Sequence, residues 1–196
     1  MIIKDKLSLK QPCEPCTSVE EGEEIAVKLF EELKNAKSGI GLAANQIGIN
    51  KRVCVVNVKE PIVLINPNIV DKSEEMFAFQ EGCLSFPNKS AVTTRHKWII
   101  VEADNHTGKL FFDYSPPVNH PKDLHNTFEC ACAQHEIDHL DGITMFDREI
   151  KKQEPIKNNK IGRNDRVLIK KGEDTKTIKY KKAEKLLSDG WELVEV

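Results

Sequence analysis

The chain has 196 residues, 39% of them hydrophobic and 31% charged, with a mean hydropathy of −0.45 and a formal net charge of −2. That balance suits one main globular domain with a buried core and excludes disordered and low-complexity classes. No apolar run approaches the ~18 residues of a membrane-spanning helix, and Met1-Ile2-Ile3-Lys4-Asp5 carries no secretion-signal pattern, so a soluble cytoplasmic protein without membrane contact is expected.

Taken in order, the first dozen residues lead into Pro12-Cys13-Glu14-Pro15-Cys16, an irregular loop. Cys13 and Cys16 have the spacing of a metal or redox pair, but no second pair accompanies them and they read as plain loop thiols. All six cysteines are read as thiols or ligands rather than disulfides, because a reducing compartment keeps such pairs open. Thr17 and Ser18 before Val19-Glu20-Glu21 predict an N-cap with acidic residues at the positive end of a helix dipole. The spacing of Ile25, Val27, Leu29, Phe30 and Leu33 continues that helix, a core-packing one, to a stop before Gly39.

Val53–Val58 and Ile62–Ile65 are β-branched runs punctuated by Pro61 and Asn66-Pro67, and they predict strands. Further strands are predicted over Ala91–Thr94, Lys97–Ala103 and Leu110–Tyr114, with Asn105-His106-Thr107-Gly108 as a hairpin turn. Pro116, Pro117 and Pro121 break the strand pattern before a helix that carries His135-Glu136-Ile137-Asp138-His139. Small antiparallel or mixed β-sheets around that central helix make the fold class α+β.

The charge divides the chain at this point. Residues 1–147 hold 15 Lys and Arg against 22 Asp and Glu, whereas 148–196 hold 14 against 9, so an acidic main part precedes a basic extension. Within the extension, Arg166–Ile169 and Thr177–Tyr180 predict short strands, Lys181–Ser188 a helix stopped near Gly190, and Trp191–Val196 a last strand. So small a unit is expected to lack a core of its own and to pack on the main part, a second copy or a partner, with Trp191, Leu193 and Val196 covering an apolar face.

The chemistry centres on His135-Glu136-Ile137-Asp138-His139. Helical residues four apart share a face, so His135 and His139 aim their imidazoles at one point, and Glu136 lies beside that point as a general base for an attacking water. The HExxH pattern also arises on ordinary amphipathic helices, and the rest of the chain must decide. A third ligand is offered by Cys83 in Gln80-Glu81-Gly82-Cys83-Leu84-Ser85, although that cysteine taken alone reads equally as a buried thiol. One thiolate with two imidazoles suits Zn²⁺ or Fe²⁺. Gly39-Ile40-Gly41-Leu42-Ala43-Ala44-Asn45-Gln46 is rich in small residues that let backbone approach a ligand, and it ends in the amide donor of Gln46. A phosphate loop is discounted there, because neither a Lys-Ser/Thr pair nor a clear leading strand accompanies it. Asp138 reads either as an acceptor that orients an imidazole or as a solvated helix residue.

The stretches GIGLAANQ, EGCLS and QHEIDHLDG, in this order and at this spacing, resemble the three signature motifs of the peptide deformylases. The resemblance runs from about Leu7 through Asp147 and implies a catalytic domain over 1–147, with 148–196 as an extension of open role. It implies a metallo-amidase that removes the formyl group from the N-terminal formyl-methionine of nascent peptides. Cys83, His135 and His139 would hold one Fe²⁺ or Zn²⁺, with Glu136 as general base and Gln46 and the Leu84 N–H as oxyanion donors. Ile40, Gly41 and Gly82 match positions that hold the substrate backbone, and Phe128, Ala131 and Cys132 match the methionine pocket. Cys132 shares the helix face of the histidines, yet a fourth protein ligand would close the position water needs, so it is assigned to the pocket. Asn45 stands where many members have proline or threonine, which is expected to loosen the loop presenting Gln46. Ala131 replaces a larger aliphatic residue, which is expected to widen the pocket floor. A metalloprotease is the first rival, but its third ligand usually follows the helix, whereas Cys83 precedes it; a noncatalytic binding protein is the second. The basic extension suggests a transient ribosome contact through RNA phosphates.

Overall fold

The computed structural model describes residues 1–36, 38–115, 123–150 and 162–195. The chain forms two compact units, Met1–Ile150 and Lys151–Val196. In the first unit, helix α1 spans Val19–Asn35 and begins where Ser18 predicts, the Ser18 hydroxyl accepting from the Glu21 N–H at 3.2 Å. Its buried stripe is Ile25, Ala26, Leu29 and Leu33. A Cβ on Gly22 would lie within 2.6 Å of the Ile65 side chain, so the missing side chain is what lets α1 settle against the sheet below it.

That sheet is antiparallel, ordered β1 (Gly41–Ala43), β2 (Val53–Asn57) and β3 (Pro61–Ile65). Strand β2 is a continuous apolar run because both its faces are covered. Val53 and Val55 face the cluster built on α1, while Cys54 and Val56 face a second cluster built on helix α2, His125–Leu140. The second cluster also receives Ile99, Val101 and Phe112 from the sheet of β4 (Asn68–Lys72), β7 (Trp98–Glu102) and β8 (Leu110–Asp113), ordered β4-β7-β8. A separate antiparallel pair joins β5 (Met76–Gly82) to β6 (Ser90–His96). Helix α2 stops at Gly142, whose φ of +72° needs glycine and where a Cβ would strike the Lys10 carbonyl.

The α+β class is as expected, with every pair of named strands among the described residues antiparallel. The sequence reading missed β1, β4 and β5. Strand β1 lies within the small-residue stretch itself, where Gly41–Ala43 is too short to announce itself in the sequence. In β5, Gln80 and Glu81 masked the alternation that Phe77 and Phe79 begin. Pro116, Pro117, His120, Pro121 and Val196 lie outside the described residues.

The second unit contains β9 (Arg166–Lys171), β10 (Asp174–Lys179), helix α3 (Tyr180–Leu187) and β11 (Glu192–Glu195), with sheet order β10-β9-β11. Here the expectation of a unit without a core is corrected. Val167, Ile169 and Ala183 are buried together and are packed by Ile178, Leu186, Leu187 and Trp191. Trp191 is therefore committed within the unit, and the Lys176 ammonium sits 4.5 Å from its ring centroid. A short helix laid across a three-stranded sheet gives each element a partner for its one apolar face, which composition alone did not reveal.

Candidate metal centre

Three elements converge on one point. Strand β5 ends at Gly82 and delivers Cys83, β1 leads into the 3-10 turn Ala44–Ile47 that carries Gln46, and α2 supplies His135, Glu136 and His139. The Cys83 thiol, His135 and His139 bring ligand atoms within 4.8 Å of one another. Cys83 Sγ lies 3.3 Å from His139 Nε2, and the two imidazoles meet nearly edge to face, centroids 4.8 Å apart. This set can hold a metal ion: one soft and two borderline donors close together, the imidazoles buried and the thiol half-buried.

The imidazole of His135 is aimed by a residue that sequence reasoning missed. Its Nδ1–H donates to Glu81 Oε2 at 2.9 Å, which leaves Nε2 free to face Cys83. Glu81 was quoted only as a neighbour of Cys83; its position on an inward-facing site of β5 was the unread signal. Both readings of Asp138 are corrected: it is buried, and its carboxylate bonds Arg95 and Arg148 rather than an imidazole. Burial opposes the charge of Glu81, yet Arg95 and His135 outweigh it and hold the carboxyl near 2. For His135 burial likewise opposes the charge, but the bonds to Cys83 and Glu81 lift it to about 10. Burial and the positive charge of His135 push His139 well below its ordinary value, which favours its neutral form.

Glu136 points into the cleft. Burial lifts its carboxyl to about 7, His135 opposing, and its Oε2 is a buried oxygen without a hydrogen-bond partner. Among the described residues the only other such side-chain atoms are Asn45 Oδ1 and His139 Nδ1. A buried carboxylate oxygen without a partner, beside the Cys83, His135 and His139 cluster, is a group able to accept a proton or a hydrogen bond there. A Cβ on Gly41 would lie 2.6 Å from Glu136 Oε1, so the glycine keeps that carboxylate's place open.

Gln46 is locked. Its Oε1 accepts from the Ala43 N–H at 2.9 Å, which turns Nε2 toward Ser85 Oγ at 3.2 Å and Cys83 Sγ at 3.4 Å. Contrary to the expectation that Asn45 would loosen this loop, its Nδ2 donates to the His139 carbonyl at 2.6 Å and ties the loop to α2.

A cleft of about 860 Å³ opens over the cluster. It is lined by Ile40, Gly41, Gly82 and Leu84 on one side and by Phe128, Ala131 and Cys132 on the other, together with Gln46, Cys83, His135 and Glu136. Every residue that the resemblance assigns to metal binding, catalysis or substrate binding is therefore on it except His139, which is 1% exposed. Phe128 stands edge to face with Phe79, centroids 5.4 Å apart, so the apolar end has an aromatic wall that the sequence did not disclose. Cys132 donates to the Ile40 carbonyl at 3.4 Å and stays out of the ligand cluster. Cys13 and Cys16 are buried in separate apolar clusters as free thiols. His96 and His106 bond backbone carbonyls, and His125 bonds Asp123.

A family model described as Polypeptide deformylase matches residues 1–155. Among curated relatives, a peptide deformylase from Acidobacterium capsulatum is 40% identical over 147 residues, covering 71% of this chain and 79% of its own length. One from Erythrobacter litoralis is 32% identical over 181 residues, covering 76% of this chain and 88% of its own. Among solved structures, a peptide deformylase from Thermotoga maritima aligns with a TM-score of 0.65 at 28% identity, covering 76% of this chain and 96% of that one. A peptide deformylase from Synechococcus elongatus in complex with actinonin aligns with a TM-score of 0.63 at 28% identity, covering 78% and 79%.

Proposed function

This chain belongs to the peptide deformylase family, and from that membership and the geometry of its cleft we infer how it works. It is a hydrolase that removes the formyl group from the N-terminus of newly synthesised polypeptides, in a family that depends on a metal ion. We propose Cys83, His135 and His139 as the ligands, with Fe²⁺ or Zn²⁺ as the ion, because a thiolate and two imidazoles match the softness of either. When bound there, the ion supplies an acidified water and polarises the formyl carbonyl.

The chain's own groups do the rest. The Glu136 carboxylate takes a proton from the attacking water and passes it to the departing amine, so that formate and a free N-terminus result. Gln46 Nε2 and the Leu84 N–H donate to the oxygen on which charge develops as the formyl carbon becomes tetrahedral. Ile40, Gly41 and Gly82 hold the peptide backbone as an added strand, and Phe128, Ala131 and Cys132 receive the methionine side chain. The observation that carries this reading is the unpartnered Glu136 Oε2, buried beside the Cys83, His135 and His139 cluster. Replacing Glu136 with Gln is expected to leave the metal bound and to lower formate release from a formyl-Met peptide by roughly 10²–10⁴-fold, whereas Cys83→Ala loses the metal as well. Formate release at the parent rate by the Glu136→Gln protein would reject the base assignment.

No helix among the described residues is long and apolar enough to cross a membrane, and formylated nascent chains emerge in the cytoplasm, where we place the enzyme. The extension from Arg148 onward carries the excess of Lys and Arg, which supports a transient, salt-dependent contact with ribosomal RNA. A chain ending at Lys152 tests this: normal turnover of a short formyl peptide with weaker, less salt-sensitive ribosome binding is expected. Unchanged ribosome binding would remove the contact.

A further inference from the structure

Four charged groups, Glu81, Arg95, Asp138 and Arg148, form an unbroken chain that runs from the cleft, which Glu81 lines, to a second pocket lined by the other three. Glu81 is 5% exposed and fully subscribed. Its Oε1 accepts from Thr93 Oγ1 at 2.8 Å and from Arg95 Nε at 2.5 Å, and its Oε2 from an Arg95 terminal nitrogen at 2.9 Å and from His135 at 2.9 Å. Arg95, 2% exposed, reaches with its other terminal nitrogen to Asp138 Oδ2 at 2.5 Å. Asp138 then takes a second, two-pronged grip from Arg148, at 3.1 Å through Nε and 2.8 Å through a terminal nitrogen.

Two features make this more than an ion-pair network. First, Asp138 lies three residues from His135 and one from His139, so Glu81 on His135 and Arg95 on Asp138 grip α2 at two points almost one turn apart. Two grips on one helix fix its rotation about its own axis, and that rotation is what aims both imidazoles. Second, Arg148 is itself held. The Ile150 N–H donates to the Val92 carbonyl at 2.8 Å, the Thr94 N–H to the Arg148 carbonyl at 3.4 Å, and Thr93 bridges Glu149 in antiparallel fashion, so residues 148–150 lie along the free edge of β6. The charges alternate along the chain, carboxylate, guanidinium, carboxylate, guanidinium. Removing Arg148 leaves Asp138 with only Arg95 to answer it, and Arg95 is then drawn away from its fork on Glu81.

We propose that Arg148, acting through Asp138, Arg95 and Glu81, is a positioning residue for the metal centre: it holds His135 at the orientation that the ion requires. Arg148 lines a separate pocket and touches nothing in the substrate cleft, so its effect falls on metal retention and not on substrate binding. The proposal rests on Cys83, His135 and His139 being the ligands.

The full-length protein loaded with Co²⁺ provides the test. Arg148→Met is expected to weaken Co²⁺ and Zn²⁺ affinity by roughly 10–100-fold in chelator competition, as loss of an outer partner does, and to shift the Co²⁺ visible spectrum. It should lower kcat with KM unchanged. Arg148→Lys keeps the charge but not the two-pronged grip and is expected to recover only part of the affinity. Asp138→Asn combined with Arg148→Met leaves no excess carboxylate and should bind metal better than Arg148→Met alone. Parent-like affinity and spectrum in Arg148→Met overturn the proposal, as does a loss of apo-protein melting temperature without a change in metal affinity. A parent protein that binds no metal instead overturns the ligand assignment, so the two failures are distinct.

Discussion

Helices α1 and α2 have nearly equal lengths, 17 and 16 residues, and are buried for opposite reasons. In α1 an apolar stripe of Ile25, Ala26, Leu29 and Leu33 meets the sheet together with Gly22; Val19 and Phe30 pack at its margin, and Glu23, Glu24, Lys28 and Glu31 are exposed. In α2 every residue from Glu129 to Leu140 is buried, charged and polar ones included. Those polar groups are mostly matched: Glu129 with Lys59, Gln134 with both backbone polar groups of His96, His135 with Glu81, Asp138 with Arg95. What stays unmatched is Glu136 Oε2 and His139 Nδ1. The contrast teaches that a buried helix without an apolar stripe is explained by its partners, and that the atoms left over mark the chemistry.

The comparison can be broken from the α2 side first. Gln46→Ala removes the donor presented against the cluster and is expected to lower kcat by about 10²–10³-fold with little change in KM, measured by steady-state formate release. Gly41→Ala puts a methyl where the Glu136 carboxylate and the Cys132 thiol stand; displacing the base by about an ångström should cost on the order of 10² in kcat while the melting temperature holds.

From the α1 side the signs reverse. Leu29, fully buried, loses about 2–5 kcal/mol of stability as Ala in urea titration, yet kcat measured well below the melting temperature should match the parent. Ser18→Ala removes the N-cap and should cost about 1 kcal/mol, again without a kinetic effect. A kinetic defect in either α1 variant under folded conditions would dissolve the distinction between the helices.

The smallest effect concerns the turn after α2. Burial opposes the charge of Asp147, but Lys10 and the Thr144 backbone and hydroxyl prevail and hold it near 2, below the ordinary 3.8. A depressed carboxyl contributes stability that is present above about pH 4 and lost as pH falls toward 2. Thermal melting across that window should therefore decline less steeply in Asp147→Asn than in the parent.

Much of this protein was determined by local chemistry. Ser18 starts α1 because a hydroxyl can satisfy an orphan N–H, the β-branched runs make β2 and β3, and His135 and His139 share a helical face because of a 3.6-residue period. The three signature stretches pointed to Cys83, His135 and His139, which the structure brings together, because such groups must be present as particular residue types. Tertiary structure alone decided the rest. Nothing near Arg95 in the chain indicates that it faces Glu81 from the neighbouring strand and Asp138 from a helix 43 residues on. Asn45 tightens its loop instead of loosening it because the His139 carbonyl lies across from it, and the extension has a core because Ala183 and Trp191 close over Val167 and Ile169. Pairing of buried polar groups is a property of positions far apart in sequence, set by how elements pack, and a one-dimensional pattern holds no record of it.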